Sequence, residues 1–313
     1  MAARPDPKLT AQPLASFAEN PQPPVERIPV QAPDADVRPK VLMAPAAANY
    51  LQGGKRPATS SVLISSSKHL NDPYYRDAVA QQATRRHGHD LPPPYMIPVV
   101  SRAITETTDF ARVAELLAAE KIRIPALGEW LDAREDWTFN KADLAGCAEG
   151  TLGREIFDLM NIPGVNMEFA YAGKANTTDA EYLQRRRGYY HDIEHIVTGF
   201  DANSAGEAAL AIMNATQDAR FFTPELAQYL SAPGMWVSAL GLFRNALHYH
   251  HVMPTYFDAT RQGIAAGQAI RQPMFLVRWI DYVDWQLDDI AAHLGFKRGP
   301  GRDWGWTTDA TMD

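Results

Sequence analysis

One pattern dominates the sequence between residues 102 and 296: apolar side chains recur at every third or fourth position, and short turn segments separate these runs. In TTDFARVAELLAAEKI, Phe110, Val113 and Leu117 fall on one face of a helix, after the candidate N-cap residue Thr108. No stretch sustains the alternation of apolar and polar residues that marks a half-buried strand. The sequence therefore predicts an all-α fold, a multi-helix bundle.

Further helices are predicted from the same pattern at 74–87, 125–134, 141–160, 179–199, 205–222, 224–231, 236–251, 256–270 and 274–294. Residues 1–60 are rich in Pro and Ala and show no periodicity, which predicts a disordered Pro-rich N-terminal extension. We divide the chain accordingly into this extension at 1–60, a connecting segment at 61–101, a helical domain at 102–296 and a C-terminal tail at 297–313.

Composition excludes several classes of protein. The formal net charge is −7, whereas a nucleic-acid-binding surface needs a basic domain or stripe, so no nucleic-acid partner is expected. The single cysteine, Cys147, excludes an intrachain disulfide and a zinc site built on several cysteines, and we expect it to be a small buried apolar residue. The N-terminus lacks the apolar core of a signal peptide, and no run of about 18 apolar residues could span a bilayer. We expect a cytoplasmic protein or one peripheral to the inner (cytoplasmic) membrane.

Four potential metal ligands lie within the segment YYHDIEHIVTGFDANSAGE. His191 and His195 are four positions apart, so on a helix they share a face and both imidazoles can reach one ion. Asp192 lies about 100° further round that helix, where its carboxylate could be a ligand or could accept a hydrogen bond from an imidazole. The turn residues that begin at Gly199 predict a short link to a second, antiparallel helix, which would bring Glu207 opposite His195. Such a nitrogen and oxygen set is typical of zinc or another divalent ion.

Ordinary structural roles stay open for these residues. Ser204 and Glu207 have the spacing of a capping box, in which Glu207 would serve only the N-terminus of its own helix. The two histidines could be half-buried rings on a face that packs against the core. A metalloprotease is not expected, because Asp192 stands where the zinc proteases have the glutamate that acts as general base.

Three consecutive arginines, 185–187, precede the first histidine. Arg187 lies four residues before His191 on the same helical face, where its guanidinium could hold a carboxylate or a phosphate. We predict Arg186 and Arg187 as substrate-binding residues. The alternative is a solvated basic run on an exposed face.

This set of residues resembles the coenzyme Q biosynthesis protein 4 family, whose motif is HDxxH followed by eleven residues and a glutamate. The motif is matched without a gap by His191-Asp192-Ile-Glu-His195 and Glu207. Support comes from EGTLGREIFDLM, from Tyr182 and Arg186 ahead of the first histidine, and from RWIDYVDWQLDDIAAHLGF near the C-terminus. The likeness covers roughly residues 102–296.

The resemblance implies that 102–296 is a helical metal-binding catalytic domain with a divalent ion, expected to be zinc, on His191, Asp192, His195 and Glu207. It implies a lyase of ubiquinone synthesis that removes the ring carboxylate of a polyprenylated 4-hydroxybenzoate, by simple or oxidative decarboxylation. His191 and His195 are expected to be catalytic, since either could supply the proton that decarboxylation needs. The expected partners are polyprenylated benzoate or quinone lipids, other enzymes of ubiquinone synthesis, the membrane surface and further copies of the chain.

Two other functions fit the same residues. A lipid-binding assembly protein for the quinone-synthesis enzymes would use the metal only for structure, and a closed shell of four ligands would favour it. A helical phosphate hydrolase would combine the ion with the arginines at 185–187. The small residues in MWVSALGLF and the alanines at 208, 209, 211 and 215 could line a channel for a prenyl tail or pack helices tightly.

Overall fold

The computed structural model describes residues 68–86, 96–168, 176–305 and 307. Within these residues the chain forms helices and, apart from two isolated bridges, no β-structure, which confirms the predicted all-α fold. The predicted extension at 1–60 lies outside the described residues. The helices are α1 (Lys68–Asn71), α2 (Pro73–Thr84), α3 (Ile97–Thr107), α4 (Phe110–Arg123), α5 (Pro125–Ala133), α6 (Lys141–Leu144), α7 (Leu152–Leu159), α8 (Asp179–Thr198), α9 (Ser204–Phe221), α10 (Pro224–Met235), α11 (Gly241–His248), α12 (Met253–Ala269) and α13 (Leu287–Leu294).

Capping residues set most helix ends close to the predicted positions. Helix α4 begins after Asp109, whose carboxylate accepts the amide of Arg112, so the cap lies one residue beyond the predicted Thr108. Helix α8 begins with a capping box formed by Thr178 and Glu181. Helix α10 continues past the predicted end at 231, and a π-helical segment, Trp236–Leu240, joins it to α11.

The predicted helix at 274–294 is wrong over most of its length. Only α13 is α-helical there, and the residues before it form the short 3-10 turns Met274–Leu276 and Trp279–Tyr282. The backbone of this segment bonds to another part of the chain: the amides of Leu152 and Gly153 donate to the carbonyls of Trp285 and Val283. Those carbonyls are therefore not available for helical bonds, and tertiary pairing has replaced the local pattern.

The same pairing divides the predicted helix at 141–160 into α6 and α7. Between them Gly150 has a φ of 76°, a left-handed conformation that ends the helical path. Thr151 then caps α7 by accepting the amide of Arg154. Cys147 lies in this break, and its burial confirms the expected structural role.

Helix α9 lies at the centre of the bundle, between α8, which runs antiparallel to it, and α12, which runs parallel to it. Asn214 of α9 donates to Glu194 of α8, and one turn later Asp218 accepts from Arg187, which lies earlier on α8. On the other side, Gly263 and Gly267 of α12 approach α9 so closely that a Cβ added at Gly267 would lie 2.6 Å from the Met213 carbonyl oxygen. Ala208 and Ala209 of α9 are fully buried, so these two alanines serve helix packing.

Helices outside the predicted 102–296 domain pack onto it. Helix α2 packs against α11. Helix α3 includes residues on both sides of the predicted domain boundary at 102. Residues 297–305 fold back against the C-terminal end of α8. The division of the chain into domains stays a prediction. Among the described residues, no helix has both the length and the apolar character needed to cross a bilayer.

We expect Gly263→Ala to lower the free energy of unfolding by about 1–3 kcal/mol, because the new methyl group would overlap the Ala209 carbonyl and the Ile212 side chain. Thermal unfolding followed by circular dichroism measures the loss. Gly146→Ala is the matched control, since no atom of the described residues lies within 4 Å of its added Cβ. Equal melting temperatures for the two variants would show that the contact between α9 and α12 is not tight.

Candidate metal centre

The candidate site lies at the corner between α8 and α9. Helix α8 ends at Gly199, which has a φ of 67° and donates its amide to the His195 carbonyl, as the sequence predicted for this glycine. Helix α9 begins after Asn203, whose side-chain oxygen accepts the amides of Ala205 and Gly206. Gly206 lies against the Asp201 carbonyl, where a Cβ would overlap it, so the tight corner requires glycine there. The corner is thus built from local features that the sequence contains.

Three of the four predicted ligands meet at this corner: His191, His195 and Glu207 offer ligand atoms that all lie within 4.8 Å of one another. His191 Nε2 is 3.4 Å from Glu207 Oε2, and His195 Nε2 is 3.4 Å from Glu207 Oε1. The two imidazole rings stand nearly perpendicular, with centroids 4.6 Å apart. The predicted pairing of Glu207 with His195 across the corner is therefore present in the structure.

The environment of His195 shows what this cluster can hold. Its Nδ1 lies 2.5 Å from the Phe200 carbonyl oxygen, and because a carbonyl only accepts, Nδ1 is the protonated nitrogen. In the neutral ring Nε2 then carries a lone pair, and this buried atom has no hydrogen-bond partner among the described residues. A lone pair facing the Glu207 carboxylate is stabilised by a positive charge between the two groups, which either a proton on Nε2 or a metal cation supplies.

The donor set and its spacing fit a divalent metal ion. Tetrahedral zinc, with bonds of about 2.0–2.1 Å, places neighbouring ligand atoms about 3.3–3.4 Å apart, and each of the two imidazole nitrogens has one of the Glu207 oxygens at such a distance. Two histidines and one glutamate are a donor set of catalytic zinc sites, in which the fourth position stays open. The outer side of the cluster is accessible, since the side chains of His191 and Glu207 are 44% and 37% exposed.

Electrostatics bind the three side chains together even without an ion. Burial lowers the pKa of His191, but the charges and hydrogen bonds of Glu207 and Asp192 together outweigh this effect and hold the pKa well above its ordinary value. Burial raises the pKa of Glu207, but the two imidazoles outweigh it and hold this pKa well below its ordinary value. Glu207 is thus a carboxylate, the form a metal ligand must have.

Asp192 takes a different place from the other three. Its Oδ1 lies 3.3 Å from Nδ1 of His191, the ring nitrogen opposite the one that faces Glu207. The structure therefore places Asp192 behind His191, where its carboxylate can accept the Nδ1 proton and orient the ring. This is one of the two roles that the sequence left open, and direct ligation by Asp192 stays a prediction.

The structure separates the two roles considered for Glu207. The N-cap of α9 is Asn203, and Ser204 is already the first helical residue, so the capping box of the alternative interpretation does not form. The Glu207 carboxylate instead faces both histidines. Because Asn203 caps the helix, Glu207 is not needed as a capping residue.

The two arginines predicted to bind substrate are engaged within the protein. Arg186 is 1% exposed, and its guanidinium donates to the Tyr190 hydroxyl and the Trp137 carbonyl. Arg187 forms a two-pronged ion pair with the fully buried Asp218, with bonds of 3.1 and 3.0 Å. Both residues hold α8 against its neighbours, and substrate binding by either stays a prediction.

Sequence reasoning missed Glu194, which lies inside the HDxxH segment. Its carboxylate is 4% exposed and accepts a 2.9 Å hydrogen bond from Asn214, which in turn accepts from Gln217. Burial raises the pKa of Glu194, and Asn214 opposes this rise. Glu194 lies one turn after His191 on the same helix. The sequence could have revealed it, because a charged residue on the side of a helix that faces the core is unusual.

The C-terminal segment supports the corner from outside. Arg298 donates to the carbonyls of Val197 and Ile196, which would otherwise be unpaired at the end of α8. Trp304 stacks on Phe200, the residue whose carbonyl orients His195, with ring centroids 5.9 Å apart. A segment predicted as a tail therefore contributes to the geometry of the site.

Comparison with known proteins identifies a related fold. No protein-family model and no curated protein sequence matches the chain. A crystal structure from Nostoc punctiforme, of a protein provisionally named for ubiquinone biosynthesis, matches with a TM-score of 0.54 and 22% sequence identity. The match covers 71% of this chain and 94% of that one. At this level of identity the two proteins share a fold.

We expect purified protein to hold about one divalent ion per chain and His195→Ala to lose it, because His195 presents the buried, unpaired Nε2. Metal analysis after purification without chelators, combined with circular dichroism, makes the test. Helix content is expected to stay nearly unchanged in the variant. Full metal occupancy in folded His195→Ala would exclude this site.

Glu207→Gln tests the charge of the carboxylate at nearly constant shape. We expect it to weaken metal binding roughly tenfold or more. Asn203→Ala is the matched control, because it removes the N-cap of the same helix at a cost of about 1 kcal/mol in stability and leaves all three ligands in place. Titration with zinc and melting curves compare the two variants; equal zinc affinity in both would return Glu207 to a purely structural role.

Proposed function

We propose that this protein is a metal-dependent enzyme of ubiquinone biosynthesis, a lyase that removes the ring carboxylate of a polyprenylated 4-hydroxybenzoate. The proposal includes membership of the coenzyme Q biosynthesis protein 4 family. It is supported by the spacing of His191, His195 and Glu207 and by the name of the structural neighbour from Nostoc punctiforme. The observation on which it chiefly rests is the open, three-residue cluster with its unpaired buried imidazole nitrogen.

The openness of the cluster favours catalysis over a structural metal. Structural zinc sites are closed by four protein ligands, whereas catalytic sites keep one position for water or substrate. Among the described residues only three side chains converge here, and two of them are more than one-third exposed. A substrate oxygen can therefore approach from the side of His191.

Each residue has a part in the proposed reaction. A divalent ion at the cluster would act as a Lewis acid toward a ring oxygen or the carboxylate. His195 is held in one tautomer by Phe200 and so offers Nε2 to the site. His191 and Asp192 form the exposed edge of the site, and we assign to this pair the exchange of protons with solvent. In simple decarboxylation the ring carbon keeps the electron pair of the broken bond and takes up one proton.

A second candidate function, a lipid-binding assembly factor for the quinone-synthesis enzymes, has an observation of its own. Helices α11 and α12 expose the large apolar side chains of Phe243, Leu247 and Phe257, each to more than half of its area. Exposed apolar side chains of this size can contact a prenyl lipid or a membrane surface. The two functions differ in whether they need the metal ligands.

In cells that depend on this protein for quinone, we expect its deletion to accumulate a prenylated benzoate that still carries its carboxylate. Mass spectrometry of lipid extracts identifies this species, and the mass of the product restored by the wild-type gene shows whether hydrogen or hydroxyl replaces the carboxylate. Normal ubiquinone without such an intermediate would reject the proposed reaction.

Complementation with His195→Ala separates the enzyme from the assembly factor. If the protein is an enzyme, the carboxylated intermediate persists in the His195→Ala strain. The control variant, Asn203→Ala, is expected to restore quinone. Full restoration by folded, metal-free His195→Ala would favour the assembly factor.

A further inference from the structure

Arg244 on α11 is a buried cation with no acidic partner in the part of the chain that the structure describes. The residue is 8% exposed, and its Nη1 donates a 3.1 Å hydrogen bond to the backbone carbonyl of Gln82 on α2. Its Nε has no hydrogen-bond partner among the same residues. Burial lowers the pKa of Arg244, and the groups that oppose this are the phenols of Tyr256 and Tyr249, with no carboxylate of the described chain among them.

This arginine differs from the buried Arg186 and the partly buried Arg187 of α8. Arg187 is neutralised by Asp218, and Arg186 donates to a hydroxyl and a carbonyl with its three nitrogens and lies against aromatic rings. An unpaired charge inside a protein is costly, and the hydrogen bond from Arg244 to the Gln82 carbonyl does not neutralise this one. Such a group is typical of a binding site whose ligand carries the opposite charge.

The next residue in the chain adds to the unpaired polar groups. Asn245 is 1% exposed, and neither its Nδ2 nor its Oδ1 has a hydrogen-bond partner within the described ranges. Gln82, whose carbonyl receives the Arg244 bond, has an unpaired buried Oε1 as well. Buried amides in native proteins are almost always paired, so this group of residues is exceptional.

Gly241 lets a phenol approach the same place. A Cβ added at Gly241 would overlap the Tyr256 hydroxyl and would lie 3.8 Å from Arg244 Nη2. The Tyr256 hydroxyl and the Arg244 guanidinium therefore both lie close to the Cα of Gly241, where a larger residue would leave no space. Burial raises the pKa of Tyr256 to about 12, so the phenol keeps its proton and can donate it.

The group lies near the candidate metal centre. Helix α12 runs parallel to α9, and Gly263 of α12 touches α9 at Ala209. Tyr256 is two turns before Gly263, so it is level with the corner that precedes α9, and Glu207 lies in the first turn after that corner. In agreement, the charges of Glu207 and Arg244 both act on Tyr256, in opposite directions.

We propose that Arg244 and Tyr256 form an oxyanion-binding subsite beside the His191, His195 and Glu207 cluster, to which the unpaired amide of the adjacent residue Asn245 adds a donor. The guanidinium, the amide and the phenol can all donate hydrogen bonds, and the planar fork of arginine matches the two oxygens of a carboxylate or a phosphate. If the proposed function holds, this oxyanion is the ring carboxylate of the substrate, with the phenol end of the ring toward the metal ligands. That assignment of the ligand rests on the proposed function, whereas the subsite itself rests on the geometry.

Calorimetric titration of chelator-treated full-length protein with 4-hydroxybenzoate, with phenol and with inorganic phosphate tests the subsite. We expect 4-hydroxybenzoate or phosphate to bind, phenol to bind at least tenfold more weakly, and Arg244→Gln to weaken anion binding at least tenfold. Tyr256→Phe removes one hydroxyl only and is expected to weaken it several-fold. Arg261→Gln is the matched control, because Arg261 is an exposed arginine paired with Asp258, and it should bind like the wild type.

A thermal readout separates recognition from a structural role of Arg244. Because the buried charge lacks a partner, Arg244→Met is expected to melt no lower than the wild type in anion-free buffer and to lose the stabilisation that phosphate or 4-hydroxybenzoate gives to the wild type. Undiminished stabilisation in Arg244→Met, or no anion binding by the wild type, would overturn the subsite. If Arg244→Met does not fold, unchanged anion affinity in Tyr256→Phe would overturn it instead.

The outcomes also separate this inference from the proposed function. His195→Ala is expected to keep the anion response, since the subsite does not include a metal ligand. If the protein binds anions through Arg244 but its deletion leaves quinone synthesis intact, the proposed function in ubiquinone biosynthesis is rejected and the subsite is retained. A preference for phosphate over 4-hydroxybenzoate would assign the subsite to a phosphorylated ligand.

Discussion

The hydrogen bond from His195 Nδ1 to the Phe200 carbonyl ties the site to the fold. It joins a side chain of α8 to the first residues of the turn that leads to α9, so the corner and the imidazole fix each other. Gly199 allows the turn, and Trp304 covers Phe200 from the C-terminal segment. Any divalent ion that binds here would meet an imidazole already in the correct tautomer, and little reorganisation would be needed.

The buried polar groups of the bundle have two different functions. Two pairs between α8 and α9 are satisfied, Arg187 with Asp218 and Glu194 with Asn214, and the one buried nitrogen left unpaired there, Nε2 of His195, belongs to the candidate metal site. The buried polar groups between α11 and its neighbours are not satisfied, since Arg244 and Asn245 retain atoms that no described residue pairs. Satisfied networks make a core rigid and specific, whereas unsatisfied ones leave hydrogen-bonding capacity for a ligand. We therefore assign the first set to structure and the second to recognition.

The candidate site could be predicted from the sequence largely because it is local. His191, His195 and Glu207 come together through one helical turn and one short corner, both of which follow from spacing and from Gly199. The capping box considered as the alternative role of Glu207 does not form, because Asn203 is the N-cap and Ser204 is already the first residue of the helix. Arg244 could not have been found in this way, since its lack of a partner depends on how α11 packs against α2 and α12.

The sequence by itself determined the helical class, the boundaries of α5, α8 and α9 and the ligand spacing, because these depend on periodicity and caps within a few residues. Only the tertiary structure decided that most of 274–294 is not α-helical, because backbone hydrogen bonds to residues 150–153 replace the helical bonds there. It also decided which arginines are neutralised, because an ion pair such as Arg187 with Asp218 joins different helices. Burial and pairing are properties of packed surfaces, and a linear pattern does not contain them.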